Sequence, residues 1–122
     1  MTQTELAGKR ILCVEDEALV AMLLEDILVA MGCVIIGPFA RAADALLRLE
    51  QDGIDGAVLD VNLRGERSYA LADELLSRDI PFVFVTGYGA SGLAPEYRHH
   101  PVVQKPFHRN GIATALSDAI AR

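Results

Sequence analysis

The chain reads as an α/β domain built on a parallel sheet, and two features of its 122 residues predict that class. Short, almost continuously apolar runs recur five times, as strands covered on both faces should. The segments between them are long enough for crossovers, and most carry apolar residues at helical spacing. Strand alternating with helix is the signature of a parallel α/β sheet.

The first run covers residues 11–14 and leads into a helix whose broad apolar face is expected to hold Leu19, Val20, Leu23, Leu24, Ile27, Leu28 and Met31, with Gly32 ending it. The second run is 34–36, followed by a helix marked by Ala42, Leu46 and Leu49 and closed by Asp52 and Gly53. The third run, 57–61, precedes a helix marked by Leu71, Ala72, Leu75 and Leu76 that stops before Pro81. The fourth run is 82–85. The crossover after it, 88–100, is broken by Gly89, Gly92 and Pro95 and offers only Leu93 and Tyr97 as large apolar anchors, so a short or irregular element is expected there. The fifth run, 102–103, leads to a last helix using Ile112, Ala115, Leu116, Ala119 and Ile120.

No linker or repeat interrupts this pattern, which closes at Arg122, so residues 1–122 are expected to form one domain with no effector domain. A hydrophobic fraction of 52% suffices for a buried core, and no apolar run reaches the roughly 18 residues a membrane span needs. Residues 1–5 lack the pattern of a signal peptide, which points to the cytoplasm. Seventeen acidic against 11 basic residues give a net charge of -6, which disfavours nucleic-acid binding. Cys13 and Cys33 sit inside apolar runs and read as core thiols.

In open parallel sheets, ligands bind beyond the carboxyl ends of the strands. Those positions are polar here: Glu15, Asp16 and Glu17 follow the first strand, Asp60 lies in the third, Thr86 ends the fourth, and Lys105 follows the fifth. Clustered carboxylates repel one another by several kcal/mol at about 4 Å, so Glu15, Asp16 and Asp60 call for a cation. All-oxygen donors suit Mg²⁺, Mn²⁺ or Ca²⁺ rather than zinc. A carboxylate beside a divalent metal, a lysine and a hydroxyl has what phosphoryl transfer requires, and Asp60 is the expected nucleophile because it alone is embedded in a strand. Taken singly, Glu17 suits a helix N-terminus, Thr86 a strand end and Lys105 a solvated charge; the set carries the argument.

The residues Val14-Glu15-Asp16-Glu17, Leu59-Asp60-Val61-Asn62-Leu63, Val85-Thr86-Gly87 and Lys105-Pro106-Phe107 resemble the receiver domain of two-component response regulators over nearly the whole chain. The resemblance implies a flavodoxin-like (βα)5 fold of sheet order 2-1-3-4-5, with Asp60 as phospho-acceptor. It implies a Mg²⁺ site formed by Asp16, Asp60, the Asn62 backbone carbonyl and Glu15, the last partly through water. It further implies that Thr86 and Lys105 bind phosphoryl oxygens, that the Lys105-Pro106 bond is cis, and that a histidine kinase is the donor.

The run from Pro81 to Tyr88 is similar to the FATGUY subclass, with Val85 in place of Ala. That subclass is associated with histidine kinases of the HWE and related groups and with an altered fourth helix. Many receivers carry an aromatic on the fifth strand that moves with the threonine, but Val102 holds that position here. Thr86, Tyr88 and Pro106 are therefore the expected switch residues; Tyr88 is read as a moving aromatic, a shield over the acyl phosphate, or a ring packed on the crossover.

Two other signals are set aside. Gly87-Tyr88-Gly89-Ala90-Ser91-Gly92 fits a dinucleotide fingerprint, but no good helix follows, and it reads as a flexible loop. His99, His100 and His108 lack a metal framework and read as exposed polar residues. The expected function is a stand-alone phospho-signalling protein acting on a downstream protein or in a phosphorelay. Loss of an acid, Thr86 or Lys105 would have favoured a phosphorylation-independent interaction module, and none is lost. A metal-dependent phosphohydrolase would carry a second acid where Asn62 stands.

Overall fold

The computed structural model describes residues 6–51 and 53–121; the expectations placed on residues 1–5, Asp52 and Arg122 lie outside them. Strands β1 (Arg10–Val14), β2 (Val34–Phe39), β3 (Gly56–Asp60), β6 (Phe82–Thr86) and β7 (Val102–Gln104) form one sheet in the order β2-β1-β3-β6-β7, every neighbouring pair parallel. Helices α1 (Ala18–Ala30), α2 (Ala42–Gln51) and α3 (Tyr69–Ser77) lie in the first three crossovers and, with the terminal helix α4 (Arg109–Ala121), cover both faces. This is the flavodoxin-like receiver topology expected from the sequence.

Side chains alternate across the pleat, so each strand feeds two cores. Leu12, Val14, Leu59 and Phe84 face α2 and α3, while Ile11, Cys13, Val58, Val83 and Val85 face α1 and α4. Both cysteines are buried thiols, and burial pushes the Cys13 and Cys33 pKa values up. No helix among the described residues is long and apolar enough to cross a membrane.

The helices bury narrower faces than their apolar spacing predicts. On α1, Leu24, Ile27 and Leu28 are buried, as is Met31 beyond it, but Leu19 and Leu23 are exposed; Leu76 on α3 is exposed as well. A helix packed on one sheet face buries only one stripe, and α1 has more apolar residues than its stripe can hold. Gly32, at φ 83°, ends α1 by donating its N–H to the Val29 carbonyl.

Two local features lay outside the sequence reading. After β3 the chain forms a small antiparallel hairpin, β4 (Asn62–Leu63) with β5 (Glu66–Arg67). Its two-residue loop, Arg64 and Gly65, has both φ angles positive, as a type I′ turn requires, and Gly65 N–H donates to Asn62 Oδ1 at 2.9 Å. The signal was weak because an arginine rarely holds that conformation. Second, the β1–β2 register shifts between Leu12 and Val14, where Gly37 at φ 110° brings the β2 backbone so close that a Cβ would lie 2.9 Å from the Cys13 carbonyl. The shift sets Phe39 O to accept the Glu15 N–H at 2.9 Å and so fixes the first rim residue.

The fourth crossover is irregular, as expected: two 3-10 turns, Gly89–Gly92 and Pro95–Tyr97, stand in place of a regular helix. The first covers much of the segment expected to be a flexible loop. Leu93 is buried, and Tyr97 stacks on Tyr69 with centroids 4.2 Å apart and meets Phe84 edge-on. Tyr69 Oη accepts the Ala94 N–H at 2.7 Å, and Tyr97 Oη donates to Asp73 Oδ1 at 2.7 Å. Aromatic packing and two hydrogen bonds thus clasp the crossover to α3. His100, expected as an exposed polar residue, is half-buried against Phe82, and burial followed by the His99 charge lowers its pKa.

Candidate functional site

The carboxyl ends of β1, β3, β6 and β7 bring the dispersed polar residues to one rim. Glu15 lies just beyond β1, Asp60 ends β3, Thr86 ends β6 and Lys105 follows β7. Glu15 and Asp60 are nearly inaccessible, at 4% and 6% exposure, so neither can rely on water to screen its charge.

Lys105 compensates for that burial. Its Nζ lies 3.1 Å from Glu15 Oε1 and 3.2 Å from both Asp60 Oδ2 and Glu17 Oε1. Burial opposes the lysine charge, but hydrogen bonds and attraction from Glu15 and Asp60 outweigh it and raise its pKa. Burial likewise raises the Asp60 pKa, against the pull of Lys105, Glu15 and the Asn62 N–H. Burial, then the Asp60 charge, pushes Glu15 up to about 7, although the Glu17 N–H and Lys105 favour its ionised form. Nothing in the local sequence signals that Glu17 reaches Lys105; the pairing follows from the turn after β1, where Glu17 N–H donates to Glu15 Oε2 at 3.1 Å.

Glu15, Asp16 and Asp60 present one oxygen each within 4.8 Å of one another, so this acidic pocket could hold a metal ion. The donor chemistry fits a hard divalent cation: three carboxylates, two of them buried and repelling each other, gain most from one shared ion. Asp16 also meets Arg64 of the hairpin loop, Nε to Oδ2 at 3.6 Å. Asn62 begins β4 two residues after Asp60, and the two line a single cavity of about 440 Å³ together with Thr86, Tyr88 and Lys105. Arg67 lines it too, a residue the sequence reading passed over.

Thr86 is buried, and its Oγ1 accepts the Tyr88 N–H at 3.2 Å, which leaves the hydroxyl proton free to be given elsewhere. Its carbonyl accepts the Lys105 N–H at 2.8 Å, tying β6 to the lysine. The Tyr88 ring is 77% exposed at the cavity mouth, which excludes the reading of a ring packed on the crossover. Val102 is half-buried beside the cluster to which Tyr97 also contributes. The Lys105-Pro106 bond is cis, and Pro106 is exposed.

Comparison with known proteins points the same way. The model of the response regulator receiver domain family matches residues 11–117. The solution structure of SdrG from Sphingomonas melonis Fr1 is 45% identical and superposes with a TM-score of 0.84, covering 100% of both chains. The BeF3-activated conformation of SdrG, from Pseudomonas melonis Fr1, is 48% identical with a TM-score of 0.77, covering 89% of this chain and 93% of that one. The phyllosphere-induced regulator PhyR of Methylorubrum extorquens is 30% identical over 90% of this chain but only 43% of its own length. The chain spans about half the length of the curated relatives it matches.

Proposed function

The chain belongs to the response regulator receiver domain family, and from that premise we propose that it accepts a phosphoryl group from a histidine kinase onto Asp60. The observation that carries the reading is the pairing of buried Asp60 with Lys105 at 3.2 Å beside two further carboxylates able to share a metal ion with it. In the proposed step an Asp60 carboxylate oxygen attacks phosphorus, the P–N bond of the donor phosphohistidine breaks, and its electron pair stays on the imidazole nitrogen.

Asp16, Asp60, Glu15 and the Asn62 carbonyl are the proposed magnesium-binding groups. A bound Mg²⁺ would supply positive charge at the transferring oxygens. Lys105 neutralises the acyl phosphate from the opposite side. Thr86, whose Oγ1 accepts the Tyr88 N–H, keeps its hydroxyl hydrogen for a hydrogen bond donated to a phosphoryl oxygen.

The proposed protein is a stand-alone signalling regulator that assists its own phosphorylation and dephosphorylation and acts through a downstream protein or a phosphorelay. The SdrG structure, matched over 100% of both chains, supports the receiver reading along the whole of this chain. Placement in the FATGUY subclass, with a kinase of the HWE or a related group, is supported by residues 81–88 and by the 3-10 turns that stand in the fourth crossover in place of a regular helix.

The test is intact mass after incubation with acetyl phosphate and Mg²⁺, for the wild type and for Asp60→Asn. A magnesium-dependent phosphate adduct on the wild type alone is expected. No adduct on the wild type, or an equal one on the variant, sinks the assignment.

A further inference from the structure

We propose that Arg67 is a second phosphoryl-binding cation of this site, contacting the oxygens of the group being transferred to Asp60; this rests on the phospho-acceptor reading above. Three observations place it. Arg67 lies opposite Asn62 in the antiparallel register of β4 and β5, so their side chains share one face of the hairpin. The Arg64-Gly65 turn and the Gly65–Asn62 hydrogen bond fix that register. The face looks into the cavity, which Arg67 lines together with Asp60, Thr86 and Lys105.

The charges around the cavity leave Arg67 a specific task. An entering phosphoryl group carries negative charge into a rim that already holds Glu15, Asp16, Glu17 and Asp60. Lys105 has three N–H donors, and its ammonium already meets three carboxylates, Glu15, Glu17 and Asp60. Arg64 is turned to Asp16. Arg67 makes no ion pair among the described residues, so it is the cavity cation whose donors are uncommitted. A guanidinium also suits the role, because its planar fork matches two phosphoryl oxygens at once, which an ammonium cannot do.

The step it assists balances without a further reagent. With acetyl phosphate, the Asp60 oxygen bonds to phosphorus, the bond from phosphorus to the bridging oxygen breaks, and the electron pair leaves on acetate. Arg67 donates hydrogen bonds throughout and transfers no proton.

The experiment follows the rate of the mass adduct against donor concentration, in saturating Mg²⁺, for wild type, Arg67→Ala and Arg67→Lys. Acetyl phosphate and phosphoramidate serve as separate donors because they share the transferred group and differ in the leaving group. Losing a charge-assisted pair should slow Arg67→Ala by about tenfold with both donors, with partial recovery in Arg67→Lys. The thermal midpoint should not move, because Arg67 is exposed on a short hairpin. The defect should also persist at about 0.5 M salt, where a merely long-range attraction is screened away. Equal rates for wild type and Arg67→Ala, a loss confined to acetyl phosphate, or a loss abolished by salt would each overturn the role of Arg67 while leaving Asp60 as the acceptor. Failure of the wild type to take any adduct would overturn both.

Discussion

Gly92 lies so close to Thr86 that a Cβ at position 92 would overlap the threonine Oγ1 and come within 3.1 Å of Tyr88 Cβ. The hydroxyl proposed to meet the phosphoryl group is therefore also the atom on which the first turn of the irregular crossover rests. That contact packs the 89–92 turn against the end of β6.

We predict that Gly92→Ala displaces either the turn or the threonine side chain. Overpacking of this kind costs about 1–3 kcal/mol, to be read as a lower urea midpoint together with a shifted Thr86 methyl resonance. An unchanged midpoint with an unchanged Thr86 signal would show that the contact is slack.

The clasp between α3 and the crossover should be separable from the site. Tyr69→Phe keeps the stack on Tyr97 but deprives the Ala94 N–H of its acceptor, at a cost of about 1 kcal/mol. Hydrogen exchange at Ala94 and its neighbours is expected to quicken while the β1 and β3 amides keep their protection. Uniform acceleration across the sheet would contradict a local latch.

Burial and the Asp60 charge raise Glu15 to about 7, so the folded protein holds that proton more tightly than the unfolded chain does. The contribution is complete below the ordinary carboxylate value and is lost as pH rises through about 7. The raised Asp60 pKa acts with the same sign. The urea midpoint of the metal-free protein is thus expected to fall as pH rises from about 5 to 8 and to recover on adding Mg²⁺. Asp60→Asn removes the repelling charge and should flatten the profile; a midpoint that rises with pH in the metal-free wild type would refute the sign.

Arg64 already meets Asp16, so a metal ion entering the acidic pocket would compete with it for that carboxylate. Because Arg64 is largely exposed, the pair is worth only about 0–1 kcal/mol, so Arg64→Ala should tighten Mg²⁺ binding by about fivefold at most. Titration calorimetry reads the change directly. Weaker binding in the variant would mean that Arg64 supports the metal site instead of competing for it.

The order of strands and helices was legible in the chain because each strand is a short apolar run and each regular helix has its own periodicity. The rim residues were legible for a related reason: an acid, a threonine or a lysine directly after an apolar run stands at a strand end, and the parallel topology gathers those ends together. Other features needed coordinates. The exposure of Leu19, Leu23 and Leu76 depends on how much of each helix the sheet can cover, which periodicity does not specify. The pairing of Tyr69 with Tyr97, the hold of Glu17 on Lys105 and the position of Arg67 over the cavity all join residues whose local sequence carries no signal of the contact.

The class of fold and the chemical identity of the rim are written in the order of residues alone, since both follow from apolar runs and from the residues that end them. Which charges Lys105 neutralises, which arginine is left uncommitted and how the crossover is anchored emerge only in the folded chain. Those outcomes depend on distances of a few ångströms between segments far apart in the chain, set by packing and turn geometry together.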